Sequence, residues 1–161
     1  MPGAHEPPAD YRFNKLRDSG GSYRLTLVKD AVERADIDPR PPRPELANIP
    51  AGDGAWVGFD VDRYDSQQTR VAVRRAVTAE LAPGERIVGE YPVSIRGKLG
   101  SAVILVPRQL IDALELETAE RMTTVALAPG ALLFVTEAKA TASEPDVEAA
   151  IEAARSAVPD L

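Results

Sequence analysis

At 161 residues with no cysteine, the chain is long enough for one domain or two very small ones, and it excludes disulfides, thiolate metal sites and cysteine nucleophiles. Its single histidine, His5, lies in a polar N-terminal stretch, so histidine-based metal or acid–base chemistry is not expected. The net charge is −6, no apolar run approaches the roughly 20 residues needed to span a bilayer, and MPGAHEPPADY lacks a signal-peptide core, which predicts a soluble, cytoplasmic protein with no membrane partner.

Residues 1–12, with Pro2, Pro7 and Pro8, read as a disordered tail. A turn at Ser19, Gly20 and Gly21 leads into a strand over Tyr23 to Val28, where Leu25 and Leu27 share one face and Arg24 and Thr26 the other. Lys29 to Ala35 has Val32 and Ala35 at helical spacing and predicts a short helix. The stretch PRPPRPELANIPAGDG that follows Asp38 carries five prolines and two glycines and reads as a loop over most of its length. Ala55 to Val61 and Thr69 to Arg75 then predict a hairpin joined through Asp62 to Gln68.

Val77 to Tyr91 reads as a connector with a turn at Ala82, Pro83 and Gly84. Ala102 to Val106 predicts a second strand, apolar on both faces and so expected to be deeply buried or covered by a partner. Pro107 suits the opening of a helix over Arg108 to Leu114, with Leu110, Ile111 and Leu114 as its buried stripe. Arg121 to Leu127 and Leu132 to Thr136 predict a hairpin around Ala128, Pro129, Gly130 and Ala131. The last element is a helix over Ser143 to Val158, with Ser143 as N-cap and Val147, Ile151, Ala154 and Val158 on one stripe, able to dock on the body of the protein or on a partner.

The two strand–helix units align without a gap. Residues 15–38 fall on residues 94–117 at a constant offset of 79, with Arg17/Arg96, Gly21/Gly100 and Ser22/Ser101 identical and pairs such as Leu25/Ile104, Val32/Ile111 and Ile37/Leu116 conserved in character. The chain thus reads as two copies of one unit, 13–76 and 92–137, joined by 77–91 and followed by an acidic tail over 138–161. A unit of about 60 residues buries only about 60% of its unfolded surface, so the copies are expected to share a core.

The run GSAVILVPRQLIDALELETAERMTTVALAPGALLFV, residues 100–135, resembles the AbrB/MazE/SpoVT family: a glycine–serine turn, a strand, a proline-opened apolar helix, an acidic link and a hairpin. Gly100, Ser101, Val103, Ile104, Val106, Pro107, Leu110, Leu114 and Leu116 carry the pattern, while the first copy has Val28 in place of the proline and a lengthened link. The resemblance implies a mainly β protein with short helices, a swapped-hairpin barrel that the two copies complete within one chain. It also implies double-stranded DNA as partner and transcription regulation as function, with Arg17, Arg24, Arg96 and Lys98 at the DNA-facing positions. Independently of the resemblance, a two-fold pair of cationic patches matches phosphates on both sides of a groove, and arginine can add bidentate contact to guanine.

Charge placement gives this reading a specific weakness. Residues 1–69 carry 9 basic and 12 acidic side chains, 70–108 carry 7 and 3, and 109–161 carry 3 and 10, so the cationic patch is thin against an acidic whole. A second reading, from a different class, is an antitoxin-like or scaffold module that holds a protein partner, such as a basic toxin, or another copy of itself. It would use the apolar strand face of Val103 and Leu105 or the C-terminal helix through Val147 and Ile151.

The remaining candidates have plain explanations. Lys29 and Arg108 open helices as solvated surface, and Trp56, Phe59 and Phe134 read as core. Asp60, Asp62 and Asp65 lack the spacing of a calcium loop. No nucleophile, base and orienting residue can be assembled, so neither catalytic residues nor a metal or other cofactor is expected.

Overall fold

The computed structural model describes residues 12–18, 20, 22–39, 45–60, 63–64, 90–92, 94–96, 101–117, 120–141 and 147–158. Among the described residues, ten strands and four short helices follow in chain order. The first half holds β1 (Asn14–Lys15), β2 (Arg17–Asp18), β3 (Ser22–Thr26), α1 (Lys29–Arg34), β4 (Glu45–Pro50) and β5 (Ala55–Asp60). The second holds β6 (Glu90–Pro92), β7 (Ser94–Arg96), β8 (Ser101–Pro107), α2 (Arg108–Ala113), β9 (Arg121–Ala128), β10 (Ala131–Thr136), α3 (Glu137–Ala140) and α4 (Val147–Ala157). Among the described residues, no helix is long and apolar enough to cross a membrane.

The strands form two antiparallel sheets, ordered β1-β9-β10-β5-β4-β6 and β2-β3-β8-β7. Both orders read the same from either end when strands of the first half are exchanged for those of the second. The described strands leave both sheets open, so the closed barrel expected from the sequence is replaced by a layered arrangement.

Alternation along the strands explains the layers. Leu25 from β3 and Ala102, Ile104 and Val106 from β8 turn inward against Leu46, Trp56, Met122, Leu132 and Phe134 of the larger sheet, with Leu110 and Ile111 of α2 and Ala31 and Val32 of α1 closing the same cluster. The opposite face of the larger sheet, with Ile49, Val57, Phe59, Leu133 and Val135, packs on Ala140 of α3 and on Val147, Ala150, Ala154 and Val158. The six-stranded sheet is therefore the middle layer. Buried on both faces, β5 and β10 read as nearly continuous apolar runs.

The middle of the core is set by one glycine. Trp56 and Phe134 lie opposite each other in the β5–β10 ladder, and their rings stack with centroids 4.8 Å apart. A Cβ at Gly58 would stand 3.1 Å from Phe134 Cε2 and 2.8 Å from Asn48 Oδ1. Glycine at this strand position is thus what lets a phenyl ring cross the sheet face.

Two parts of the sequence reading need correction. The proline-rich stretch expected to be a loop contains β4, which forms the hairpin with β5 in the register Leu46↔Asp60 to Pro50↔Trp56. ELANI is free of proline, so nothing interrupts its ladder, and Pro50 stands at the strand's last residue. The hairpin partner anticipated over Thr69 to Arg75 lies outside the described residues. The C-terminal helix, described from Val147, lies on the chain's own sheet: Val147 is buried there and Ile151 half-buried, so neither forms the free partner-facing surface expected of them.

Candidate nucleic-acid interface

The four-stranded sheet turns one face to the core and the other away from it. Because directly opposed residues of an antiparallel pair share a face, the registers Arg17↔Arg24, Arg24↔Leu105 and Thr26↔Val103 lay out the outer surface residue by residue. Arg17, Arg24 and Leu105 form one row across β2, β3 and β8. Leu16, immediately before Arg17, faces inward and is fully buried, which fixes the side on which Arg17 projects.

Two arginines thus stand directly opposite each other across adjacent strands. Like charges in this position repel and destabilise the pairing. No ion pair among the described residues relieves them. Arg24 is half-buried, and its Nε is buried without a hydrogen-bond partner. The nearest acidic residue in sequence, Asp18, accepts a hydrogen bond from the Gly20 N–H at 2.9 Å and shapes the turn. Arg17 is exposed and Arg24 half-buried, so the part of this row that solvent reaches presents guanidinium groups without a carboxylate partner among the described residues, an arrangement chemically suited to a polyanion.

The second half does not reproduce this row. Arg96 is opposite Ser101, and Ser94 is opposite Val103, so the β7–β8 register is shifted by two residues relative to β2–β3. Where the first copy has Arg24, the second has Val103, which is 4% exposed and does not form part of a free surface. Leu105 is 43% exposed and is the large apolar side chain that the described surface leaves open. Lys98 lies outside the described residues. Arg17 and Arg24 are therefore brought together, while Arg96 holds a different register position.

Two nearby cations have other surroundings. The Arg108 guanidinium lies over the Tyr23 ring at 6.0 Å from its centroid, a cation–π contact that anchors the start of α2 to β3. Lys29 at the start of α1 is exposed and faces the cleft between α1 and β9 rather than the outer sheet. That cleft, lined also by Arg12, was not anticipated from the sequence, because it is created by strand order rather than by a motif.

No group of histidine, cysteine, aspartate or glutamate among the described residues is placed to hold a metal ion. No protein-family model, no curated protein and no solved structure matches the chain.

Proposed function

We propose that the chain is a DNA-binding regulator of the AbrB-like class, in which two tandem copies take the places of two swapped-hairpin subunits. The exchange reading is supported by strand pairing. The lead strand of the first half, β1, pairs with β9 of the second, and the lead strand of the second half, β6, pairs with β4 of the first. DNA as the ligand is carried by one observation: Arg17 and Arg24 oppose each other on the outer face of the four-stranded sheet without a carboxylate partner among the described residues.

The copies contribute unequally to this reading. The first half supplies the guanidinium row and the second supplies Leu105, so contact is weighted to the β2–β3 side of the pseudo-two-fold axis. A mobility-shift assay on duplex DNA across salt concentrations tests the proposal. Binding that weakens with salt and is lost in Arg17→Ala and Arg24→Ala supports it, with Arg96→Ala weaker in effect. Absence of binding to any duplex at low salt overturns it.

A further inference from the structure

We propose that the cleft between α1 and the edge of β9 takes the carboxyl-terminal end of an extended peptide by strand addition, with its terminal carboxylate held by Arg12 and Lys29. The cleft, of about 890 Å³, is lined on one side by Val28, Lys29, Ala31 and Glu33 and on the other by four consecutive residues of β9, Thr123 to Ala126. Consecutive residues of a strand point to alternate faces, so a wall made of four in a row is the strand's edge. What it presents is main chain together with the Thr124 hydroxyl, which accepts from the Val28 N–H at 3.4 Å.

That edge is open among the described residues. β9 runs from Arg121 to Ala128, and β10 covers one side of it, but β1 covers the other only at Arg121 and Met122. Beyond Met122 no strand among the described residues pairs with this edge, which leaves alternate N–H and C=O groups of residues 123–126 on the cleft side for an added strand.

Charge sets the direction of the added strand. The Val28 N–H lies 3.4 Å from Thr124 Oγ1, and the Gly130 N–H donates to the Ala35 carbonyl at 2.6 Å, so α1 runs alongside β9 in the same sense. Lys29 therefore stands at the Thr124 end. Arg12, two residues before the Asn14 that pairs with Met122, stands at the same end. Asp30 and Arg34 neutralise each other at 3.2 Å, which leaves Arg12 and Lys29 as the cationic end and Glu33 farther along.

A strand antiparallel to β9 brings its carboxyl terminus to Arg12 and Lys29, where β1 blocks further extension. A parallel strand would bring an ammonium group there, against two cations. The fit is therefore to an antiparallel peptide that ends at this point, a mode independent of the outer sheet face.

The test uses the full chain and a displayed library of random hexapeptides with free carboxyl termini. A selected peptide is then synthesised and titrated by fluorescence anisotropy. Affinity is expected to fall about tenfold or more on C-terminal amidation and in Arg12→Ala or Lys29→Ala, both exposed or cleft-lining cations, and to be lost when alternate peptide nitrogens are methylated. Bound peptide is expected to slow amide exchange over residues 123–127. The proposal is overturned if no peptide is enriched, if amidated or N-methylated peptides bind equally well, or if protection appears elsewhere.

Discussion

Asp36 and Glu115, 79 residues apart, both take left-handed backbone conformations, with φ of 53° and 54°. The hydrogen bonds around them match one for one: Ala35 N–H to Ala31 O, Asp36 N–H to Glu33 O and Ile37 N–H to Val32 O recur as Leu114 to Leu110, Glu115 to Asp112 and Leu116 to Ile111. Each is a helix C-terminus closed by a residue in the conformation that glycine fills at least cost. The same ladder centre carries the relation further, since Leu25 lies directly opposite Ile104, its own counterpart at that offset.

The shared strain predicts an unequal response to glycine. A left-handed conformation costs a non-glycine residue about 1–2 kcal/mol, of which glycine's extra unfolded-state entropy returns about 0.5–1 kcal/mol. Glu115→Gly is therefore expected to raise stability by about 0.5–1 kcal/mol. Asp36→Gly should gain less, because Arg63 Nη2 donates to Asp36 Oδ2 at 3.1 Å and that contact is lost. Urea midpoints of the two variants check the ordering.

Two neighbouring threonines of β9 should respond to valine with opposite signs. Thr123 Oγ1 is buried without a hydrogen-bond partner, whereas Thr124 Oγ1 accepts from the Val28 N–H at 3.4 Å. Thr123→Val removes an unsatisfied hydroxyl and is expected to stabilise by about 1 kcal/mol, while Thr124→Val strands an amide and is expected to cost about 1 kcal/mol. Thermal unfolding distinguishes the pair. Destabilisation by Thr123→Val would contradict the assignment of its hydroxyl.

Gly58→Ala is expected to destabilise by about 1–3 kcal/mol, since its Cβ would overlap Asn48 Oδ1 and crowd Phe134 Cε2. Trp56 is the chain's single tryptophan, is fully buried and stacks on Phe134, so its fluorescence reports this site directly. Native emission should be blue-shifted and should move to the red at a lower denaturant concentration in the variant. Phe134→Leu in the same chain should recover part of the loss by giving the new methyl group room.

How far the sequence could be read depends on which interactions set each element. The likeness of the two halves was legible because Leu25/Ile104 and Asp36/Glu115, paired at the offset of 79, answer to local geometry that both halves share. The β9–β10 hairpin was legible from its apolar strands around Pro129 and Gly130. β4 was not, because ELANI is short and flanked by prolines, and it becomes a strand through pairing with β5 and burial of Leu46 and Ile49. The Arg17–Arg24 row was half legible: the family resemblance pointed to the residues, but their direct opposition follows from a register that the second half does not keep. The edge of β9 left no sequence signal, since an edge is defined by which strand is absent beside it.

The asymmetry of the outer sheet face gives the sharpest test of the DNA reading. Arg24 is opposite Leu105, so the row of Arg17 and Arg24 ends at an exposed apolar side chain on the second half. Replacing that side chain costs little core burial, and Leu105→Arg extends the cationic row across the pseudo-two-fold axis. Each phosphate contact contributes a slope of about −0.9 in log K against log salt on duplex DNA. Arg17→Ala and Arg24→Ala should each make the slope shallower by about 1, and Leu105→Arg should make it steeper by about 1 while tightening binding at low salt. Salt titrations of a fluorescent duplex read all three. If Leu105→Arg left both affinity and slope unchanged while Arg17→Ala weakened binding, the DNA would be tracking β2 away from the two-fold axis rather than crossing it.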